Sequence, residues 1–347
     1  MCDKAATSKR RNNTESYFTL AVPSCFSRLF LKNKTLKQLL LFFIYCITPL
    51  FMIAQATIPN YYIQKKNFTD SLQQIVHDVN LDGTYDAGDD GIEKISFAVI
   101  DLSGRKPLLG GVNMESFIYP ASLYKMYVAM EILKQVSEGE YSLYKPYVVK
   151  SPNDVDKTSE ISWDPRPLLH DGDTVTVNYL LDLMITRSDN SAANCLIDIA
   201  GRKNIDKTMH ENGWSGSEVT RKYLPRKFED PGYDTIRGTV TCALHAADFM
   251  YKVYKNKLIN PWVSQQLKVL LGRQLDTTKL STGLPPDVMF YHKSGWWSYF
   301  TNDVGIVDDG QIKYVVALLV PITEKDVRPK MKELSKRVYE LIKNRKK

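Results

Sequence analysis

A hydroxyl and an amine stand one helical turn apart in Tyr119-Pro120-Ala121-Ser122-Leu123-Tyr124-Lys125. The apolar residues that follow, Met126, Ala129, Ile132, Leu133 and Val136, recur at helical spacing. Pro120 disfavours a helical Tyr119, so the pattern predicts a helix from about Ala121 or Ser122. Ser122 then lies in the first turn, with Lys125 on the same face. Backbone N–H groups are unpaired there and the helix dipole is positive, which suits an anionic transition state. A lysine that is desolvated or near another cation can be neutral and take the serine's proton. On its own the pattern equally describes a helix cap followed by a solvated lysine.

Two further polar clusters follow, Ser188-Asp189-Asn190 and Lys293-Ser294-Gly295. Separately they read as an N-cap cluster and a solvated strand-end charge. In order, Ser122-Leu123-Tyr124-Lys125, Ser188-Asp189-Asn190 and Lys293-Ser294-Gly295 resemble the S-x-x-K, S-D-N and K-T-G set of class A β-lactamases and penicillin-binding serine hydrolases. Serine replaces threonine in the third motif and keeps the hydroxyl. The flanks are also similar: Ile185 to Asn194, Gly283-Leu284-Pro285, and Thr301-Asn302-Asp303. The resemblance spans about residues 68–342.

The resemblance implies a nucleophilic Ser122, with Lys125 as base and Ser188 as proton relay to the leaving nitrogen. The N–H groups of Ser122 and Trp296 would form the oxyanion hole. Asn190 would bind a substrate amide, and Lys293 and Ser294 its carboxylate. Gly295 would let the backbone approach the ligand closely. No cofactor is required, and the substrate would be a β-lactam or an acyl-D-amino-acid peptide. One departure matters. The family's loop glutamate, usually in E-x-x-L-N, activates the water that clears the acyl-enzyme. Val219-Thr220-Arg221 resembles the start of that loop, and counting onward puts Arg226 at the glutamate's position. Glu218 and Glu229 are the glutamates available there, and Glu229 comes three residues late. Acylation with stalled hydrolysis is therefore expected unless Glu229 reaches the water. A D,D-peptidase or an esterase on the same site is the rival reading, and an idle surface-binding module is a third. Trp163, Trp296 and Trp297 could line the cleft or be core aromatics.

Strands are expected at Ile95–Leu102, Lys106–Gly111, Val288–Lys293, Val304–Val307 and Tyr314–Val320. Helices are expected at Phe68–Val79, from Thr176 to Thr186-Arg187, at Ser191–Gly201, Lys203–Glu211 and Thr239–Tyr254, from Pro261 to near Leu275, and at Val327–Ile342. Strands at both ends with helices between predict an α/β (α+β) fold of the β-lactamase/transpeptidase type. Its antiparallel sheet is built from the chain ends, flanked by helices, with an inserted all-α lobe. A cleft between the lobes is the natural place for a site.

The 347 residues are 44% hydrophobic, enough for a substantial core, and the net charge of +7 signals neither nucleic acid nor a strong membrane surface. A basic segment, 1–38, precedes an apolar stretch, 39–56, with Ala54-Gln55-Ala56 as a small-x-small cleavage site. The pattern predicts an exported hydrolase domain over 57–347, periplasmic, extracellular or anchored to the outer face of the cytoplasmic membrane, and monomeric. Cys195 and Cys242 lie in apolar helical patterns and are expected as buried thiols. The five histidines are scattered, which disfavours a zinc hydrolase. Asp78, Asn80, Asp82, Asp86 and Asp89, with Gly83 at the turn, match the ligand spacing of an EF-hand-type calcium loop or form an acidic solvated one.

Overall fold

The computed structural model describes residues 56–346 except 160, 234, 236 and 237. Ten strands follow in chain order: β1 (Ile63–Gln64), β2 (Tyr85–Asp86), β3 (Ile92–Glu93), β4 (Ser96–Asp101), β5 (Leu108–Val112), β6 (Pro146–Val148), β7 (Thr174–Thr176), β8 (Met289–Trp297), β9 (Phe300–Asp308) and β10 (Lys313–Val320). Six of them make one sheet, in the order β1-β5-β4-β10-β9-β8, antiparallel except for β1 against β5. The two chain ends thus share a sheet, and the helices between them form the lobe, as the order of elements predicts. The third motif lies on edge strand β8.

Alternation along the strands fills both faces of the sheet. Ala98, Ile100, Val315, Ala317 and Leu319 join the core under the helical lobe. Phe97, Val99, Val316, Leu318 and Val320 pack with the helices Lys66–Asp78 and Glu324–Lys346 on the other face. The helix Lys125–Ser137 carries buried residues at ten of its thirteen positions. A helix that is buried nearly all round sits inside a domain rather than on it. Its Met126, Met130, Ile132 and Leu133 are essentially inaccessible, each contributing roughly 1.5–3 kcal/mol of burial. That rigid helix carries Lys125.

Local chemistry sets the ends. Thr176 and Asn260 cap the helices Val177–Thr186 and Pro261–Leu271 by accepting from Tyr179 N at 3.2 Å and Val263 N at 2.9 Å. The helix expected from Thr239 begins only at Ala243. Val240 and Thr241 are instead drawn into bridges with Glu218 and Ile118. Strands β8 and β9 run longer than their apolar cores suggest, because Ser294, Thr301, Asn302 and Asp303 are buried polar strand residues.

Cys195 and Cys242 are free, buried thiols. In the acidic loop three of the five side chains have protein partners. Asp78 pairs with Arg337 at 2.6 Å, Asp82 with His77 at 2.6 Å, and Asp86 accepts from Gly88 N at 2.9 Å. Their carboxylates are turned to separate protein partners. Among the described residues no group of three or more His, Cys, Asp or Glu side chains is placed to hold a metal ion. The basic segment 1–38, and all of 39–56 but Ala56, lie outside the described residues. No described helix is long and apolar enough to cross a membrane.

Candidate active site

Ser122 lies in a 3-10 turn, Ala121–Tyr124, from which Lys125 opens the central helix. The regular helix thus starts one turn later than its apolar spacing suggests. Ala121 and Ser188 both adopt left-handed backbone, with φ of 45° and 64°. Such conformations cost a non-glycine residue of order 1–3 kcal/mol and collect at functional sites.

The surroundings hold Ser188 in that conformation. Lys125 is fully buried, and its Nζ donates to Ser188 O, to Ser188 Oγ at 3.3 Å and to Asn190 Oδ1 at 2.8 Å. Lys293 is fully buried as well, and its Nζ donates to Ser188 Oγ at 3.0 Å and to Ser294 O at 2.7 Å. Two lysines from distant parts of the chain therefore flank one hydroxyl. Burial disfavours the charged form of a lysine, so a pair of buried lysines around one serine points to chemistry rather than stability.

Asp189 is the helix cap that the bland reading of its motif foresees, accepting from Ala192 N at 2.7 Å. It also pairs with Arg187 at 2.8 Å, and Arg187 reaches the carbonyls of Arg166 and Pro167. Burial pushes the Asp189 carboxyl up, against the pull of that guanidinium. The cap leaves the side chains of Ser188 and Asn190 for the site. Asn190 is fixed from behind by Asp156, which accepts from its N at 2.6 Å and its Nδ2 at 2.8 Å.

Gly295 brings β8 against the serine turn. A Cβ there would lie 2.7 Å from Ser122 N, 2.9 Å from Pro120 O and 3.0 Å from Leu123 N. All three are backbone atoms that cannot swing aside, so only glycine permits the approach. Trp296 is the next residue along that edge. Asn302 donates to Tyr119 O at 3.2 Å and ties β9 to the segment before the serine. The Ser294 hydroxyl donates to Asp276 Oδ2 at 2.7 Å. Burial raises the Asp276 carboxyl, but ion pairing with Lys279 outweighs it and holds the group well below the usual range. Burial alone would lower the Lys279 amine, yet Asp276 and Glu324 together raise it.

Glu229 is engaged elsewhere. Its side chain is buried, with Oε2 accepting from Arg202 Nη2 at 2.7 Å and Oε1 from Lys222 N at 2.8 Å. Arg226 is exposed on the short turn Arg226–Phe228. Tyr223 of the same loop is clasped by Asn194, one turn beyond Asn190. Asn194 Oδ1 accepts from Tyr223 N at 2.8 Å, and its Nδ2 donates to Tyr223 O at 3.2 Å. The Tyr223 ring meets Trp297 edge-on, with centroids 5.4 Å apart. Trp163, Trp296 and Trp297 are 66%, 42% and 48% exposed, so none is a core aromatic. Trp297, Tyr223 and Tyr124 line a cavity of about 880 Å³ beside the site.

The sequence profile of the beta-lactamase enzyme family matches residues 83–342. The chain belongs to that family. It is 30% identical over 158 residues to Beta-lactamase AST-1 of Nocardia asteroides, covering 45% of this chain and 50% of that protein. It is 24% identical over 217 residues to Extended-spectrum beta-lactamase PER-1 of Pseudomonas aeruginosa, covering 59% of this chain and 67% of that one. The alignment to AST-1 thus spans only half that relative's length. In fold it is similar to a mutant of PBP-A solved as its acyl-enzyme complex with penicillin G, at 20% identity and a TM-score of 0.67, covering 83% of this chain and 100% of that one. For this beta-lactamase family member, motif reasoning finds Ser188, Asn190, Lys293 and Gly295 where they converge. It misses Asp156, Asp276 and Tyr223, which belong to no motif.

Proposed function

We propose that the chain is an exported serine hydrolase acylated at Ser122 by β-lactams, which it hydrolyses slowly. The observation that carries this reading is the meeting of Lys125 and Lys293 on Ser188 Oγ, at 3.3 and 3.0 Å, next to the Ser122 turn. Lys125 in its neutral form takes the Ser122 proton as Oγ bonds to the lactam carbonyl carbon. The N–H groups of Ser122 and Trp296 receive the oxyanion, each donor contributing roughly 2.7–4 kcal/mol. The C–N bond then breaks, and the proton passes from Lys125 through Ser188 Oγ to the leaving nitrogen. Lys293 holds the substrate carboxylate. Ser294 joins it once its hydroxyl rotates away from Asp276. Asn190 binds the side-chain amide of the substrate. The names of AST-1 and PER-1, and the acyl-enzyme formed by PBP-A, support this chemistry. The basic segment 1–38 followed by the apolar stretch 39–56 supports export.

Slow release follows from Glu229, whose ion pair with Arg202 occupies it. The same observation favours a second reading, a D,D-peptidase or penicillin-binding protein on this site. Intact mass after exposure to penicillin G should show one adduct, on Ser122, that persists for minutes, with weak nitrocefin turnover. Ser122→Ala should show neither. Faster cleavage of D-Ala-D-Ala peptides than of nitrocefin would favour the peptidase. No adduct and no turnover of any of these would sink both readings.

A further inference from the structure

The fold gathers a modest net charge at one end of the sheet. The register brings Asp101, Leu108, Asp308 and Lys313 together there, and the β4–β5 and β9–β10 turns close that end. Arg345, near the end of the helix Glu324–Lys346, reaches it too. Its Nε donates to Asp101 Oδ2 at 3.1 Å, and its guanidinium lies 4.8 Å from the Phe68 ring. The chain enters at the same end, where Ile63 pairs with Leu108 and its N donates to Pro107 O at 3.0 Å. Exposed cations stand around this pole: Lys65 after β1, Arg105 and Lys106 in the β4–β5 turn, and Lys343 two residues before Arg345. Lys255 and Lys257 follow the helix Ala243–Tyr254, whose last residue neighbours Lys313. None of these six has a carboxylate partner among the described residues. The carboxylates nearby are already matched. Asp101 pairs with Arg345, Asp308 with Lys313 at 3.2 Å and Asp70 with Lys66 at 2.8 Å, while Asp309 accepts from Tyr339 Oη at 2.8 Å. Glu340 is the exposed acid on that stretch of helix, and Asp287 lies across the sheet, before β8.

The sequence brings an apolar stretch to this pole on a short tether. No Asp, Glu, Lys or Arg occurs between Lys37 and Lys65, so Lys65 is the first charge after 39–56. Tyr61 and Tyr62 are fastened to the domain. Both hydroxyls donate to Asp248 Oδ1, and the Tyr61 ring stacks on Tyr251 with centroids 5.6 Å apart. Thr57 to Asn60 are left as tether, a reach of at most roughly 14 Å. A bilayer that holds 39–56 must therefore lie against the basic pole. Anionic headgroups are its electrostatic complement, and one hydrophobic segment plus a polybasic patch gives the two signals of stable attachment. The β8–β9 turn, beside the site, lies at the other end of the strands, roughly 26 Å away for the nine residues of β8.

We propose that this pole docks on an anionic phospholipid bilayer and turns the β8–β9 end, with its cleft, away from the membrane. The proposal rests on the reading of the chain as exported, not on acylation at Ser122, and its test uses no β-lactam. The full chain is mixed with vesicles of phosphatidylcholine, or of phosphatidylcholine and phosphatidylglycerol in equal parts. Lysines are then acetylated briefly and the peptides read by mass. At low salt Lys65, Lys106 and Lys343 should react at least about fivefold more slowly on the mixed vesicles, the factor expected of one cation at an anionic surface. Lys157 and Lys227, exposed beside the cleft, should react equally on both. Protection should vanish in about 1 M salt, where the screening length is about 3 Å. Joint replacement by Lys65→Gln, Arg105→Gln, Lys106→Gln and Lys343→Gln should remove the protection of Lys255 and Lys257. Equal rates on the two kinds of vesicle overturn the docking even if both retain the chain. Protection of Lys157 and Lys227 with the rest overturns the orientation. Retention by the mixed vesicles alone, with the same lysines protected, upholds the docking and sinks the anchor. Retention by neither overturns both.

Discussion

Gly295 shows how one missing methyl group holds two distant motifs together. A Cβ would press on Ser122 N and Pro120 O, so Gly295→Ala must push β8 away from the serine turn. The variant should fold, since β8 is an edge strand, yet acylate about 10²–10³-fold more slowly, the usual loss when one oxyanion donor is misplaced. Thermal melting beside the penicillin adduct rate separates the two effects; an unchanged rate would mean that β8 supplies no donor. Asp156 acts one step further back. In Asp156→Ala the backbone N–H of Asn190 loses its carboxylate acceptor, and the Asn190 side chain is free to turn from Lys125. The adduct rate should fall at least tenfold, and stability by about 1–3 kcal/mol by urea titration. The three motifs were readable because each places its polar residues within four consecutive positions. Asp156 was not, because it arrives from a loop 34 residues before Asn190 and its neighbours carry no periodicity.

The segment from Val219 to Asp230 is the element whose sequence misleads most. Its two candidate positions for a water-activating group are an exposed arginine and a glutamate locked to Arg202. Glu229 also accepts from Lys222 N, so it fastens the loop at both ends of its turn. Glu229→Gln should therefore lower stability by roughly 3–5 kcal/mol at most, the cost of breaking a buried pair, while leaving the lifetime of the penicillin adduct unchanged. A markedly longer adduct lifetime in Glu229→Gln would instead make Glu229 the deacylation base. Elements with strong apolar periodicity were legible to within a few residues, as in the helices Lys66–Asp78 and Asn190–Ala200. The short pairs β2–β3 and β6–β7 were not, because strands of two or three half-buried residues carry too little alternation to read. The acidic loop after Asp78 shows a related limit of spacing. Spacing specifies an order of oxygens, but Arg337 and His77 come from outside the loop and take the carboxylates first.

The join between lobe and sheet makes the whole domain sensitive to mild acid at a point remote from the lysines. His245, on the helix Ala243–Tyr254, is 1% exposed, with Nδ1 2.7 Å from Ser217 Oγ and Nε2 without a partner among the described residues. Burial lowers it from 6.5 to about 4, despite the nearby Asp248. The native state therefore binds fewer protons than the unfolded chain between those values, and stability must fall as pH drops through that window. The loss for this one group reaches roughly 3 kcal/mol by pH 4. Asp206, pushed up to about 6 by burial, works in the opposite direction over an overlapping range, binding its proton more readily when folded. Only the difference between a variant and its parent isolates the histidine. In His245→Asn, whose side chain still reaches toward Ser217 but does not titrate, urea midpoints should drop less between pH 7 and pH 4 than in the parent. The gap should open below pH 6.5. Parallel midpoint curves for the two proteins across that range would mean that His245 is protonated as readily in the folded protein as in the unfolded chain.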